Sequence, residues 1–224
     1  MGLNIAKGNM YDFVTHTWNT IKGTCPHDCS YCYMKRWGKL KAARFDEKEL
    51  KTDLGKDNFI FVGSSCDIFA KGIPRYWLKA TLKHCEFYGR NKYLFQSKNP
   101  EFMNDDLSYC DFDYVTCTTI ESNRWYPEIM ASSPRPEDRA YWMGVIGNSL
   151  KYVTIEPIMD FDLEPLVELI KRCDPVQVNI GADSGNNHLP EPPYSKVLEL
   201  IERLSEFATV AKKRNLERLE RSDL

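Results

Sequence analysis

The chain has 224 residues, 42% hydrophobic and 28% charged, with a formal net charge of −2. That length and apolar content suit one domain over 1–224 with its own core and no need of disulfide staples. A balance so near zero gives no global basic field for nucleic acid, although a dipolar surface can carry a local basic groove.

In chain order, β-branched and aromatic runs predict strands at 13–20, 58–63, 92–97, 113–119, 151–156 and 176–181. Helical patterns fall between them. The stretch 74–88 opens on Pro74 and carries Trp77, Leu78, Leu82 and Cys85 at helical spacing. Helices are also expected at 136–150 and 163–173, with a last one from 194 to about 219. The charged end beyond Lys212 reads as a solvated helix terminus. Strand followed by helix, six times over, implies parallel strands joined by right-handed crossovers. Six units are too few for a closed eight-stranded barrel of about 250 residues, so an open barrel or a doubly wound sheet is expected. In either, function collects at the carboxyl ends of the strands.

No apolar run is long enough to span a membrane, and Met1 to Tyr11 has no apolar stretch of a secretory signal. A cytoplasmic location follows as an expectation, with the eight cysteines kept reduced. Cys25, Cys29 and Cys32 crowd one loop at 23–36, just after the first strand. Close-spaced cysteines in a reducing compartment point to metal. Three thiolates on a four-iron cluster would leave one iron open to another ligand. The competing reading is structural zinc, with Cys29 and Cys32 as a C-x2-C pair completed by Cys25, His27, Cys66 or Cys85.

The spacing C-x3-C-x2-C, with Tyr31 just before the third cysteine, resembles the radical S-adenosylmethionine (SAM) superfamily. The resemblance implies an α/β fold, a partial (βα)6 TIM-like barrel with parallel strands, and a [4Fe-4S] cluster held by Cys25, Cys29 and Cys32. It also implies SAM bound to the open iron and cleaved to a 5′-deoxyadenosyl radical. A flavodoxin- or ferredoxin-like electron donor is then the expected partner.

Further site residues follow from the strand ends. Gly63, Ser64, Ser65 and Asp67 stand where the superfamily meets the methionyl amine, and a polar turn is the alternative. Lys98 resembles a lysine that contacts the SAM carboxylate in spore photoproduct lyase and its relatives. Thr118, sharing a face with Thr116, and Glu121 beyond it are candidates for the ribose hydroxyls, whereas Cys117 is expected to pack against helices. Asn179 and Gly181 are candidates for the adenine. Glu156 at the end of its strand is costly to bury without a partner, which favours a functional carboxylate. Cys66 is a candidate hydrogen-atom donor, or the fourth ligand of a closed cluster. His27 is read as a turn residue. Tyr31, Tyr33, Trp37 and the Trp125-Tyr126 pair could stack a base, so a nucleotide or nucleic acid is a candidate substrate, with core packing the alternative.

The segments Ser97-Lys98-Asn99-Pro100, Ile155-Glu156-Pro157 and Ile180-Gly181-Ala182-Asp183 are similar to a phage- and bacteria-encoded group distantly related to spore photoproduct lyase. Two functions from other classes remain: a zinc- or cluster-stabilised nucleic-acid-binding module, and an electron-transfer protein that does not bind SAM.

Overall fold

Runs of β-branched and aromatic residues with both faces apolar form the centre of the molecule, as expected of parallel strands covered on two sides. A computed structural model describes residues 3–147 and 149–222. The strands are β1 (Asn4–Ile5), β2 (His16–Trp18), β3 (Ile21–Lys22), β4 (Arg44–Phe45), β5 (Phe59–Val62), β6 (Lys92–Ser97), β7 (Asp113–Thr119), β8 (Leu150–Ile155), β9 (Gln177–Ile180) and β10 (Thr209–Lys212). The helices are α1 (Arg75–Phe87), α2 (Pro100–Leu107), α3 (Pro127–Met130), α4 (Pro136–Val145), α5 (Leu163–Arg172), α6 (Tyr194–Ser205) and α7 (Glu217–Ser222).

Eight strands form one sheet in the order β1-β2-β5-β6-β7-β8-β9-β10, and β3 pairs with β4 outside it. β1 runs antiparallel to β2, and every later neighbour is parallel. Among the described residues β1 and β10 do not pair, so the fold is an α/β barrel left open on one side.

Register separates two cores. Ile60, Val62, Tyr93, Phe95, Val153, Ile155, Val178 and Ile180 turn toward the helices, where they meet Leu78, Met103, Met143 and Leu166. Phe61, Leu94, Val115 and Cys117 turn to the inner face. That face is filled by the chain's own segment before β2. Phe13 packs on Phe59 and Tyr152, and Tyr11 packs on Phe61. The Tyr11 hydroxyl donates to Gln96 at 2.8 Å and lies 2.7 Å from the Thr154 hydroxyl.

Four expectations change. The stretch 194–219 is not one helix: α6 ends at Ser205, and Thr209–Lys212 becomes a seventh parallel strand. The exposed edge of β9 is the reason, since it offers backbone groups that a neighbour can satisfy. Thr209 N donates to Val176 O at 3.1 Å and Lys213 N to Ile180 O at 2.8 Å. The helix expected over 136–150 stops at Val145, ahead of the strand that begins at Leu150. A helix over Pro100–Leu107 was not anticipated; it starts on a proline suited to the first turn and buries Met103 and Leu107. Cys117 lies on the inner face against Tyr11 rather than under the helices.

Replacing Tyr11 by Ala should cost about 3–5 kcal/mol, because it empties the inner core of its central ring. Tyr11→Phe should cost about 1–3 kcal/mol, since Gln96 and Thr154 lose a buried partner. Urea midpoints at constant slope read both.

Candidate active site

The carboxyl ends of β2, β5, β6 and β7 surround the cysteine loop. The loop has little regular structure of its own, and tertiary contacts fix its path. Thr24 N donates to Lys41 O at 2.8 Å, Ser30 N to Ile129 O at 2.9 Å, and Ser132 N to His27 O at 3.0 Å. Cys29 is buried, whereas Cys25 and Cys32 are partly exposed.

Two charged networks anchor the loop from below. In the first, His27 Nε2 lies 2.8 Å from Asp67 Oδ2. That carboxylate also accepts from Ser97 Oγ and Lys98 N at 2.9 Å each. Burial alone would raise the Asp67 carboxyl, but the adjacent His27 outweighs it and lowers the carboxyl, while His27 is itself raised. His27 is therefore a clamp onto the end of β5, more than the turn residue expected of it.

In the second network, Tyr31 donates its hydroxyl to Glu121, and Lys98 donates to the same hydroxyl. The Lys98 ammonium lies 3.2 Å from Glu121 Oε1, 3.3 Å from Cys29 Sγ and 4.5 Å above the Tyr31 ring. Arg139, wholly buried on α4, meets Glu121 Oε2 at 2.6 Å. Its Nε donates to Pro134 O at 2.7 Å and its Nη1 also to Thr119 O at 3.0 Å, while Nη2 has no partner among the described residues. Burial would raise the Glu121 carboxyl; Arg139 and Lys98 overcome that and hold it at about 2. Burial would likewise lower Lys98, yet Cys29, Tyr31 and Glu121 raise it well above the usual lysine value.

The β5 turn closes over these networks. Gly63 has φ +78°, and a Cβ there would stand 2.6 Å from Ile68, so glycine is required. Asn19 accepts from Ser65 N at 2.9 Å and exchanges bonds with the Ser64 hydroxyl at 3.2 and 3.3 Å. Tyr33 donates to Ser64 O at 3.0 Å. Cys66 is 2% exposed and its thiol partners that of Cys25; the shared hydrogen bond lowers Cys25 and raises Cys66.

Cys25, Cys29, Cys32, Tyr31, Gly63, Ser64, Ser65, Cys66, Lys98 and Glu121 thus form one continuous neighbourhood. Glu156 and Gly181 stand elsewhere, at the ends of β8 and β9. There Glu156 receives Lys213 Nζ at 2.6 Å, Asn9 Nδ2 at 2.6 Å and Asn215 Nδ2 at 2.8 Å. Gly181 lets this cluster close, because a Cβ would approach Glu156 Oε1 to 2.9 Å. Lys213 and Asn215 thus tie the terminal segment to the end of the barrel, while the charged side chains around and beyond them, such as Arg214, Glu217 and Arg221, are solvated as expected. Asn179 lies on the inner face and accepts from Gln177 at 2.8 Å. Thr118 sits apart from both groups, wholly buried and donating to Ser97 O at 2.8 Å. Arg139, Ser133, Asn9, Lys213 and Asn215 were not anticipated. A charge at 139 between the buried positions 136, 140 and 143 was a readable signal for the first.

The donor chemistry fits an iron–sulfur cluster. The loop offers three sulfur donors, which suit iron and sulfide better than hard cations. Lys98 and Ser133, each 3.3 Å from Cys29 Sγ, can both donate to a thiolate there. Cys32 is raised by burial, with Cys25 and Cys29 adding to it, so the three sulfurs sense one another. Among the described residues no group of three or more His, Cys, Asp or Glu side chains is already arranged to hold a metal ion.

The open α/β barrel is the class of fold seen in radical SAM enzymes. No family model matches the chain, and no curated protein matches it by sequence. Among solved structures, a Cys-to-Ser variant of spore photoproduct lyase superposes with a TM-score of 0.64 at 12% identity, over 92% of this chain and 79% of that one. The same enzyme with bound AdoMet and dinucleoside spore photoproduct gives 0.57 at 12% identity, over 92% and 66%. Streptococcus suis SuiB bound to precursor peptide SuiA gives 0.60 at 11% identity, over 92% of this chain and 50% of SuiB. Both proteins are radical SAM enzymes. At these identities the likeness is one of fold, and this chain spans about half of SuiB.

Glu121→Gln should destabilise the fold by about 3–5 kcal/mol, because it strands two buried cations. Removing Arg139 as well (Glu121→Gln with Arg139→Met) should restore part of the loss. With a folded value of about 2 against an ordinary 4.5, the carboxylate stabilises fully above pH 4.5, and its contribution fades as pH falls toward 2. The wild-type advantage over Glu121→Gln in denaturant titrations should shrink across that window. Cys66→Ser should bind as much iron and sulfide on anaerobic reconstitution as the wild type, if three cysteines hold the cluster; a large loss would make Cys66 a ligand.

Proposed function

We propose that the chain is a radical SAM enzyme, with a [4Fe-4S] cluster on Cys25, Cys29 and Cys32. The observation that carries this reading is a three-cysteine loop seated at the strand ends of an open parallel barrel, with Lys98 against Cys29. Bound there and reduced, such a cluster would supply one electron to the sulfonium of bound SAM, with methionine and a 5′-deoxyadenosyl radical as the products. A flavodoxin- or ferredoxin-like donor would supply that electron, and the substrate would supply the hydrogen atom that completes 5′-deoxyadenosine.

The chain's own residues bind and orient. Ser64, Ser65 and the Gly63 turn offer backbone and hydroxyl groups to the methionyl amine. Lys98, held charged by its anionic neighbours, is the carboxylate partner. Tyr31 and Glu121 fix the position of Lys98, and Arg139 fixes that of Glu121. The His27–Asp67 clamp keeps the loop against the β5 turn.

Thr118 serves the sheet by its bond to Ser97 O, and Asn179 and Gly181 are covered by the protein's own side chains, so the ribose and adenine fall to the strand ends beside the cysteine loop. Glu156, ringed by Asn9, Lys213 and Asn215, is better suited to holding the two ends of the chain together than to proton transfer.

Anaerobically reconstituted protein, given dithionite and SAM, should release 5′-deoxyadenosine. Cys29→Ser should abolish release, and Lys98→Ala should weaken SAM binding roughly tenfold or more, as loss of a charged hydrogen bond of about 1.5–3 kcal/mol implies. A fully loaded cluster that yields no 5′-deoxyadenosine would overturn the proposal.

A further inference from the structure

The surface just beyond the third cysteine is chemically unlike the rest of the chain. From Cys29 to Phe45 there is no Asp or Glu, yet Lys35, Arg36, Lys39, Lys41 and Arg44 fall within it, in a protein of net charge −2. Lys35 is neutralised locally by Asp28 at 2.8 Å. Among the described residues Lys39, Lys41 and Arg44 have no such partner. These three, with Lys22, line a cleft of about 450 Å³ that also touches Asn19 and Ser65. The only acid in the lining is Glu49, and it is held by Lys22 at 2.6 Å. The cleft therefore presents uncompensated positive charge along a path that ends beside the β5 turn.

An aromatic platform adjoins it. Trp37 is 69% exposed and Tyr33 45%; other rings of the chain are as exposed, but these two stand beside the cationic cleft, where their faces are open to a planar group. Arg36 bridges the two, its guanidinium 5.4 Å from the Tyr33 ring and 5.5 Å from the Trp37 ring. That contact holds the rings and leaves an Arg donor at their edge. Cations spaced along a groove, beside an exposed ring, make the combination that binds single-stranded nucleic acid: phosphates in the groove and a base on the ring. An acidic polypeptide would use the charges but has no planar group for Trp37.

We propose that the segment from Tyr33 to Arg44 is a single-stranded nucleic-acid-binding surface, with the sugar–phosphate backbone along Lys39, Lys41 and Arg44 and an unpaired base stacked on Trp37. As the route by which a substrate strand reaches the radical chemistry it rests on the proposed function; as a binding surface it stands on these residues alone.

The test is fluorescence anisotropy of a labelled oligodeoxythymidine of about 20 nucleotides, titrated with the anaerobically reconstituted protein at several salt concentrations. Binding should weaken with salt. Lys39→Ala, Lys41→Ala and Arg44→Ala combined should reduce the salt slope by about 2, at roughly 0.7 per phosphate contact. Trp37→Ala should weaken binding roughly ten- to a hundredfold with the slope unchanged, since stacking is lost and charge is kept. All four side chains lie on the surface, so circular dichroism and 5′-deoxyadenosine release from SAM alone should match the wild type. The proposal falls if the oligonucleotide does not bind, or if the variants bind it as well as the wild type. It falls also if polyglutamate of equal charge, or duplex DNA insensitive to Trp37→Ala, competes equally. Loss of 5′-deoxyadenosine release with oligonucleotide binding intact would overturn the proposed function and leave this surface standing.

Discussion

A carboxylate with no solvent around it must find cations or take up a proton, and Glu121 finds two. Arg139 reaches it from a helix and Lys98 from the neighbouring strand, so one buried charge ties together α4, β6 and β7. Tyr31 completes the arrangement from the cysteine loop, which places a loop residue in bonding contact with the innermost charge of the molecule. Breaking any member leaves another charged and dry, which is why such networks tolerate little movement. The three thiols inherit that rigidity. Cys29 sits two residues before Tyr31 and shares Lys98 with it, while Cys25 sits two residues before His27 and shares the β5 turn with its clamp.

The same logic explains how the open side of the barrel is handled. An open sheet exposes edges and an inner face, and both are liabilities in water. Here β10 covers one edge and β1 the other, while Tyr11 and Phe13 fill the inner face. The beginning and end of the described chain then meet at Glu156 through Asn9, Lys213 and Asn215. With the interior filled by the protein's own residues, the strand ends and the cysteine loop are where chemistry has room. The cleft beside that loop extends this region outward along Lys39 and Lys41.

Much of this was legible from residues alone, because the signals are local. The strands at Lys92–Ser97 and Asp113–Thr119 have the predicted bounds, each being a continuous apolar or β-branched run closed by polar residues. Lys98 was expected at the site by resemblance and Glu121 by its place just past a polar strand end, but that both meet the cysteine loop through Tyr31 was not foreseen. What failed was facing. In β7 both faces are buried, so no alternation of polarity says which side is inward. Thr118 was assigned to the site because it shares a face with Thr116 and leads to Glu121, yet a threonine can satisfy its hydroxyl on a strand carbonyl, as Thr118 does on Ser97 O. The seventh strand was hidden for a different reason: Thr209–Lys212 follows an amphipathic helix directly, and only the presence of an unpaired β9 edge makes it a strand. Partners such as Asn9 and Asn215 are 206 residues apart, a contact no local pattern encodes.

The central claim is that three protein thiolates leave one iron for an amino-acid chelate. It is tested most directly by electron–nuclear double resonance on the reduced, anaerobically prepared protein with SAM labelled at the methionyl nitrogen and carboxylate carbon. The account predicts hyperfine couplings from both labels, lost in Cys29→Ser. Couplings absent from a protein with a full complement of iron and sulfide, or a centre unchanged by SAM, would contradict it.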